Sequence, residues 1–501
     1  MKILNQGLIH PFIFALFPII LIFSNNALEI TIESLLLLIF IIFSIVFIII
    51  LILKTITKNL QKSTLIISLG LILFFNLEHV RSWFDSFELG GIRAHHLTLI
   101  LYVVIFFASL YFIYKIKDVE KPSKILTIAG IAILISFAPN FLIFTDENPS
   151  VNSLQINYDF DSSIKPNVYF ILLDGYSGDE SLTKNFHFNN SNFLDTLENQ
   201  KFVVAKNTFG NYLWTVFAMS SMLNMDYTQN LPNYTSNDQV YMKNLFSHNL
   251  VMNLFRDNGY ETIYIDGGGP WREMYVADKV LCRSTDNRLL QHLIDTSVMQ
   301  YVYGGFTSKS WDEIRNCAFN ELEQINHNSD KPLFVYAHIR SPHTPYTYDH
   351  DGNLTNFKKS IELKQNIPDD KAINKTEEKI LDERYIYQLQ YTNNQLERVI
   401  PNLLASDVQP IILLMSDHGT KNIKYIDYED NTTLIQYHSN FGAYYLPNLV
   451  DKKEYLDSSP VNIFRLIFND YFNGKFERLE DKSFFVDFDN FNSIDEHIID
   501  I

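Results

Sequence analysis

The chain has 501 residues, more than one ordinary domain, and a formal net charge of −17 from 57 acidic and 40 basic residues. An excess of that sign argues against a nucleic-acid partner, which would need a basic face. Cysteine is scarce: Cys282 and Cys317 allow one disulfide, and the sequence leaves open whether they meet.

Five apolar blocks come first, at 11–24, 35–53, 64–75, 97–114 and 125–144. A bilayer crossing takes about 20 mostly apolar residues, a length that the second, fourth and fifth blocks reach and the others approach. The first block has no small-residue cleavage site after it, and further blocks follow, so it reads as a span and not as a removed signal. Lys54, Lys58 and Lys62 fill one connecting loop, and Lys115, Lys117, Lys121 and Lys124 fill another. The bias of basic residues to the cytoplasmic side is met by five crossings with a cytoplasmic N-terminus. Were the third block not to cross, the two Lys-rich loops would lie on opposite sides. The expected organisation is a five-helix transmembrane domain (1–145), a polar linker (146–165) and an extracytoplasmic domain (166–501) of a multi-pass cell-membrane protein. No span carries a charge in its middle, which argues against a transporter.

Beyond the linker the pattern changes. NVYFILLD (167–174), ETIYID (261–266), PLFVYAHI (332–339), PIILLMSD (410–417) and FGAYYLP (441–447) are short runs of β-branched and aromatic residues bounded by turn formers. Helical spacing lies between and after them, at 239–260, 382–404 and 459–472, while polar 349–381 reads as an exposed excursion. Alternating strands and helices predict an α/β domain, a mostly parallel sheet sandwiched by helices. In such sheets ligands bind at the carboxyl ends of the strands. Asp174 ends the first strand, and Asp417 and His418 end the fourth. Carboxylates and an imidazole together suit a divalent cation such as Mn²⁺ or Zn²⁺. A lone Asp after a strand is otherwise a helix N-cap.

NVYFILLDGYSGDESL followed far downstream by LLMSDHGT resembles the sulfatase/alkaline-phosphatase superfamily over residues 165–450. The five spans ahead of it resemble lipoteichoic acid synthase and the lipid A phosphoethanolamine transferases. The resemblance implies an alkaline-phosphatase-like fold and one divalent metal ion, Mn²⁺ or Zn²⁺ ahead of Mg²⁺ or Ca²⁺. Its ligands would be Asp174, Thr215, Asp417 and His418. Thr215, at the start of TVFAMSSML, would be the nucleophile, with Thr208 and Ser220 as rivals. His343 in HTPY would protonate the leaving alkoxide or donate to a phosphate oxygen. Trp271, Arg272, His338 and His438 would bind substrate, His338 being equally readable as buried structure. The Cys/Ser-x-Pro-x-Arg motif of true sulfatases is absent. That departure counts against sulfate-ester hydrolysis and favours transfer of a phospho group from a phospholipid head group to a glycan or lipid acceptor. The alternatives are a hydrolase of phosphate or sulfate esters and a non-catalytic membrane protein that retains the fold.

Overall fold

The computed structural model describes residues 8–25, 32–77, 80, 94–136, 165–231, 239–268, 274, 276–282, 288–299, 311–355, 375–420, 431–487 and 490–497. The predicted linker up to residue 164, the end of the fifth apolar block and residues 356–374 of the excursion lie outside them. The chain divides into two compact units, one of 1–148 with 285–309 and one of 149–284 with 310–501.

The first unit is helical: α1 (His10–Asn25), α2 (Ile32–Thr57), α3 (Leu60–Phe75), α4 (Ala94–Lys115) and α5 (Glu120–Ser136). Among the described residues one helix, Leu35–Thr57, is long and apolar enough to cross a membrane; His10–Phe23, Leu60–Phe75 and Ile100–Lys115 are apolar but shorter. The α2 stretch is rich in Ile, a modest helix former in water. Away from water, a helix satisfies every backbone group within itself. Leu36, Phe40 and Phe47 on α2 face outward. Buried polar side chains knit the inner faces: the His10 ring pairs with the Ser68 hydroxyl at 2.5 Å, linking α1 to α3. Asn59 caps α3 by accepting from the Lys62 N–H at 3.0 Å.

The second unit is an α/β domain. Its seven-stranded sheet has the order β2-β7-β6-β1-β5-β3-β4. The strands are β1 (Val168–Leu173), β2 (Val203–Phe209), β3 (Glu261–Gly267), β4 (Lys279–Leu281), β5 (Leu333–Ile339), β6 (Ile411–Met415) and β7 (Ser439–Tyr445). The pairs β1–β5, β1–β6, β3–β5 and β3–β4 are parallel, whereas β7 runs antiparallel to β6 and β2. Strands covered on both faces read as continuous apolar runs, and β1 is buried at all six positions. Phe170 on one face packs with Tyr336 and with Phe464 of a covering helix, while Tyr169, Ile171 and Leu173 feed the core on the other face.

Helices α6 (Thr215–Asn224) and α11 (Pro460–Phe472) cover the first face; α8 (Trp311–Glu323) and α9 (Lys375–Leu404) cover the second. Between β4 and α8 the chain visits the helical unit as α7 (Arg288–Thr296), where Leu289 and Leu293 pack with Ile19, Ile22, Leu35, Leu38 and Phe75. Cys282 and Cys317, at the two ends of that visit, form a disulfide with 5.6 Å between their Cα atoms. A short helix, α10 (Asn431–His438), leads into β7, and a separate hairpin, β8 (Ser483–Asp487) with β9 (Asn490–His497), follows α11.

Candidate active site

Because β6, β1 and β5 are parallel neighbours, whatever follows them gathers at one edge. Asp174 follows β1, and Asp417 with His418 follows β6. His338 is the penultimate residue of β5. Backbone hydrogen bonds lock the strand ends together. The Asp174 N–H donates to the Ile339 carbonyl at 3.0 Å. The N–H groups of Gly175 and His418 both donate to Asp417 Oδ1, at 3.1 and 3.0 Å. Gly175 has φ of +74°, where a side chain is strained. A Cβ on Gly419 would stand 2.1 Å from the Gln436 carbonyl oxygen, so only glycine lets the turn after His418 pass so close.

The ligating atoms of Asp174, Asp417 and His418 lie within 4.8 Å of one another, and all three residues are buried. Asp174 Oδ1 and Asp417 Oδ2 are buried and accept no hydrogen bond from the described residues. His418 Nε2 lies 3.3 Å from Asp417 Oδ2 and 3.7 Å from Asp174 Oδ1. The other nitrogen of that ring, Nδ1, donates to the Gly419 carbonyl at 2.7 Å, which leaves the lone pair on Nε2. Three electron-rich atoms thus face one point without a proton between them. Buried acceptors in that state are costly, and a divalent cation is the group that satisfies all three. Burial works to raise the pKa of Asp174, but without a metal the His343, His338 and His418 rings, when they carry a proton, outweigh it and hold the carboxyl well below the usual carboxylate range.

Thr215 opens α6, as the hydrophobic run that follows it and the extended Trp214 before it dictate. Its Oγ1 lies 3.2 Å from His418 Nε2. The loop leading to it, 210–214, is braced from two sides. His438 Nδ1 donates to the Gly210 carbonyl at 2.8 Å, and the Gly210 N–H donates to the His438 carbonyl at 2.6 Å. From β8, the Phe484 N–H donates to the Asn211 carbonyl at 2.7 Å and the Ser483 hydroxyl to the Gly210 carbonyl at 3.0 Å. The Trp214 indole donates back to the Val486 carbonyl at 2.7 Å.

The rivals of Thr215 sit elsewhere. The Thr208 hydroxyl donates to the Asn440 carbonyl within β2–β7, and Ser220 is buried in the body of α6 against the Met242 carbonyl. His343 reaches the cluster: its N–H donates to the Asp174 carbonyl at 3.0 Å, and its ring centroid is 6.4 Å from that of His418. Its Nδ1 lies 2.7 Å from the Thr344 carbonyl and 3.2 Å from Arg340 Nε, whose N–H points at it. Buried His338 points Nε2 at Asp174 Oδ2 across 3.7 Å. His438 is buried and hydrogen-bonds Gly210 in the loop that leads to Thr215. Trp271 and Arg272 lie outside the described residues.

Two buried residues at this edge escaped the sequence reading. Asp266 of β3 pairs in register with His338 and accepts the Gly268 N–H at 3.0 Å. It ends its strand as Asp174 and Asp417 end theirs, a signal that was available. Arg315 of α8 hydrogen-bonds the loop that carries His343. Burial, then the neighbouring charge of Arg340, lowers its pKa to about 10, which leaves it cationic at neutral pH.

No curated protein matches the chain. Among solved structures it is similar to the C-terminal periplasmic domain of EptC from Escherichia coli in complex with Zn, at 12% identity and a TM-score of 0.41, over 63% of this chain and 85% of that one. It is also similar to the periplasmic domain of phosphoethanolamine transferase EptC from Campylobacter jejuni (14%, TM-score 0.37, 64% and 94% covered). A third is the phosphonate monoester hydrolase of Agrobacterium radiobacter (14%, TM-score 0.39, 64% and 80% covered). The profile of the family described as Sulfatase matches residues 166–467, which span β1 to α11 and include every residue of the buried cluster. With more than half of its length matched in this way, the chain belongs to the sulfatase family of the sulfatase/alkaline-phosphatase superfamily.

Proposed function

We propose that this protein is a membrane-anchored, metal-dependent transferase that moves a phospho group from a lipid head group to an extracytoplasmic glycan or lipid acceptor through Thr215. The observation that carries the reading is the Thr215 hydroxyl at the N-terminus of α6, 3.2 Å from His418 Nε2, beside two carboxylate oxygens that no hydrogen bond from the described residues satisfies. Asp174, Asp417, His418 and the Thr215 hydroxyl would hold one divalent ion, Mn²⁺ or Zn²⁺. When bound, that ion supplies Lewis acidity and neutralises charge on the phospho group. The positive end of the α6 dipole favours the deprotonated Thr215.

Thr215 Oγ1 bonds to phosphorus as the bond to the leaving oxygen breaks, and the Thr215 proton passes to water. His343, whose Nδ1 lies between the Thr344 carbonyl and Arg340 Nε, presents Nε2 and gives the leaving oxygen its proton. The acceptor hydroxyl then attacks, returns a proton to His343 and releases Thr215, which regains its own from water. The lack of a Cys/Ser-x-Pro-x-Arg motif supports phosphorus chemistry over formylglycine-dependent sulfate hydrolysis. The five apolar blocks and the Lys-rich loops support a site outside the membrane, next to its lipid donor.

The test uses the full chain in detergent with Mn²⁺ and a panel of phospholipids, aryl phosphates and aryl sulfates, followed by intact mass and peptide mapping. A phosphorus-containing adduct on Thr215, absent in Thr215→Ala, is expected, and its mass names the head group. An adduct elsewhere overturns the assignment. Turnover to the free acid with no transfer to any added lipid or glycan makes the protein a hydrolase. No adduct, no turnover and no bound metal would leave the non-catalytic reading standing.

A further inference from the structure

Helix α8 runs behind the loop 340–347 that carries His343. Arg315, on this helix, is fully buried. Four of its donors go to that loop. Nε donates to the Arg340 carbonyl at 2.6 Å and one terminal nitrogen to the Thr347 hydroxyl at 3.2 Å. The other terminal nitrogen donates to the carbonyls of His343 and Pro345, each at 2.9 Å. None of the four acceptors is a carboxylate. Beyond these neutral dipoles it feels the more distant carboxylates of Asp312 and Asp174, yet burial and Arg340 still lower its pKa, so the cation is held at a cost. An apolar side chain would fill the space without that cost.

What the cation gains is geometry. The His343 peptide is gripped at both ends: its N–H by the Asp174 carbonyl at 3.0 Å and its own carbonyl by Arg315 at 2.9 Å. The position of His343 is thereby tied to the strand end that bears Asp174. Helix α9 braces the same loop through Gln388, whose Oε1 accepts the Thr347 N–H at 2.9 Å and whose Nε2 donates to the Ser341 hydroxyl at 3.0 Å.

We propose that Arg315 is a positioning residue for the leaving-group step, holding the His343 backbone so that the imidazole meets the departing oxygen. The proposal rests on the acid role given to His343 above. In that step the bond from phosphorus to the leaving oxygen breaks with its electron pair on that oxygen, which takes the proton from His343 Nε2. The bond from Thr215 Oγ1 to phosphorus forms, and the Thr215 proton goes to water.

The full chain in detergent with Mn²⁺ is assayed on two esters, 4-nitrophenyl phosphate, whose phenolate leaves unaided, and phenyl phosphate, whose phenol needs the acid. His343→Ala, Arg315→Lys, Arg315→Met and the double variant Arg315→Met with His343→Ala are compared with wild type. Arg315→Met is expected to lower kcat on phenyl phosphate by about 10²-fold, the scale of a lost general acid, while kcat on the nitrophenyl ester stays near the wild-type value. KM is unchanged on both. The double variant is no slower than His343→Ala alone, and Arg315→Lys recovers part of the loss. Equal losses on both esters, additive losses in the double variant, or no loss overturn the proposal and make Arg315 a scaffold residue. If His343→Ala is itself blind to the leaving group, the acid role fails first and the proposal falls with it. Inertness of the wild-type chain toward both esters overturns both. If Arg315→Met does not fold, Arg315→Lys and Thr347→Val report the same ratio of the two esters.

Discussion

Asp417→Asn should change the sign of its effect on stability with the metal content of the sample. In the metal-free protein the carboxylates of Asp174 and Asp417 share a buried site within 4.8 Å. At an effective dielectric of about 20, two unit charges at that separation repel by about 3 kcal/mol. The asparagine keeps an Oδ1 for the Gly175 and His418 N–H groups, and its amide takes the place of an oxygen 3.3 Å from His418 Nε2, to which it donates. At pH 8, where imidazoles are ordinarily neutral, the variant should therefore melt higher in chelator, by roughly 1–2 kcal/mol after the histidine dipoles take their share. For a large domain that is on the order of 2–4 °C. With Mn²⁺ at a hundred times its dissociation constant the wild type gains about 2.7 kcal/mol, and the variant, short of a ligand, gains far less. The two melting curves should cross. Differential scanning fluorimetry of the full chain in detergent, in chelator and in a Mn²⁺ series, reads both arms. A variant that is less stable than wild type in chelator, or that is shifted equally by Mn²⁺, refutes the reasoning.

Trp214→Phe deletes the indole hydrogen bond to Val486 and should cost about 1 kcal/mol in chemical denaturation. It should also slow adduct formation on Thr215 without changing metal affinity, as followed by mass and by metal titration. The pair Cys282→Ala and Cys317→Ala opens a loop with a sequence separation of 35, which by chain entropy removes about 4 kcal/mol of stability; thermal melts with and without reductant check it, since the variant should ignore reductant. Gly419→Ala forces a methyl against the Gln436 carbonyl and should abolish metal binding by equilibrium dialysis before it abolishes folding by circular dichroism.

The parts of the fold that were legible are those set by short-range pattern. Five strands announce themselves as apolar runs because their faces are both covered. β2 reads VVAKNTF, half polar at the edge of the sheet, and β4 has three residues, so neither carries a pattern to recognise. Asp174, Asp417 and His418 were legible because strand ends in a parallel sheet converge whatever the intervening loops do. Arg315 was not. In WDEIRNCAFNELE it looks like one more charge on a solvated helix face, and its burial depends on a loop some 25 residues downstream in sequence. The visit of α7 to the helical unit was hidden for the same reason: Leu289 and Leu293 are ordinary amphipathic spacing until their partners near the N-terminus are known.

The brace from β8 also bears on when the site can work during synthesis. Asn211 donates to the Lys482 carbonyl across a sequence separation of 271 residues, and Trp214 reaches Val486 just beyond. A ribosome has made all the residues of the buried cluster by the time it reaches His418, yet the loop that aims Thr215 gains its second support only when β8 emerges. A half-made chain can thus gather Asp174, Asp417 and His418 while the loop that carries Thr215 still lacks its second support. The last hairpin acts as a completion check on the geometry of the site, passed only when the chain is nearly whole.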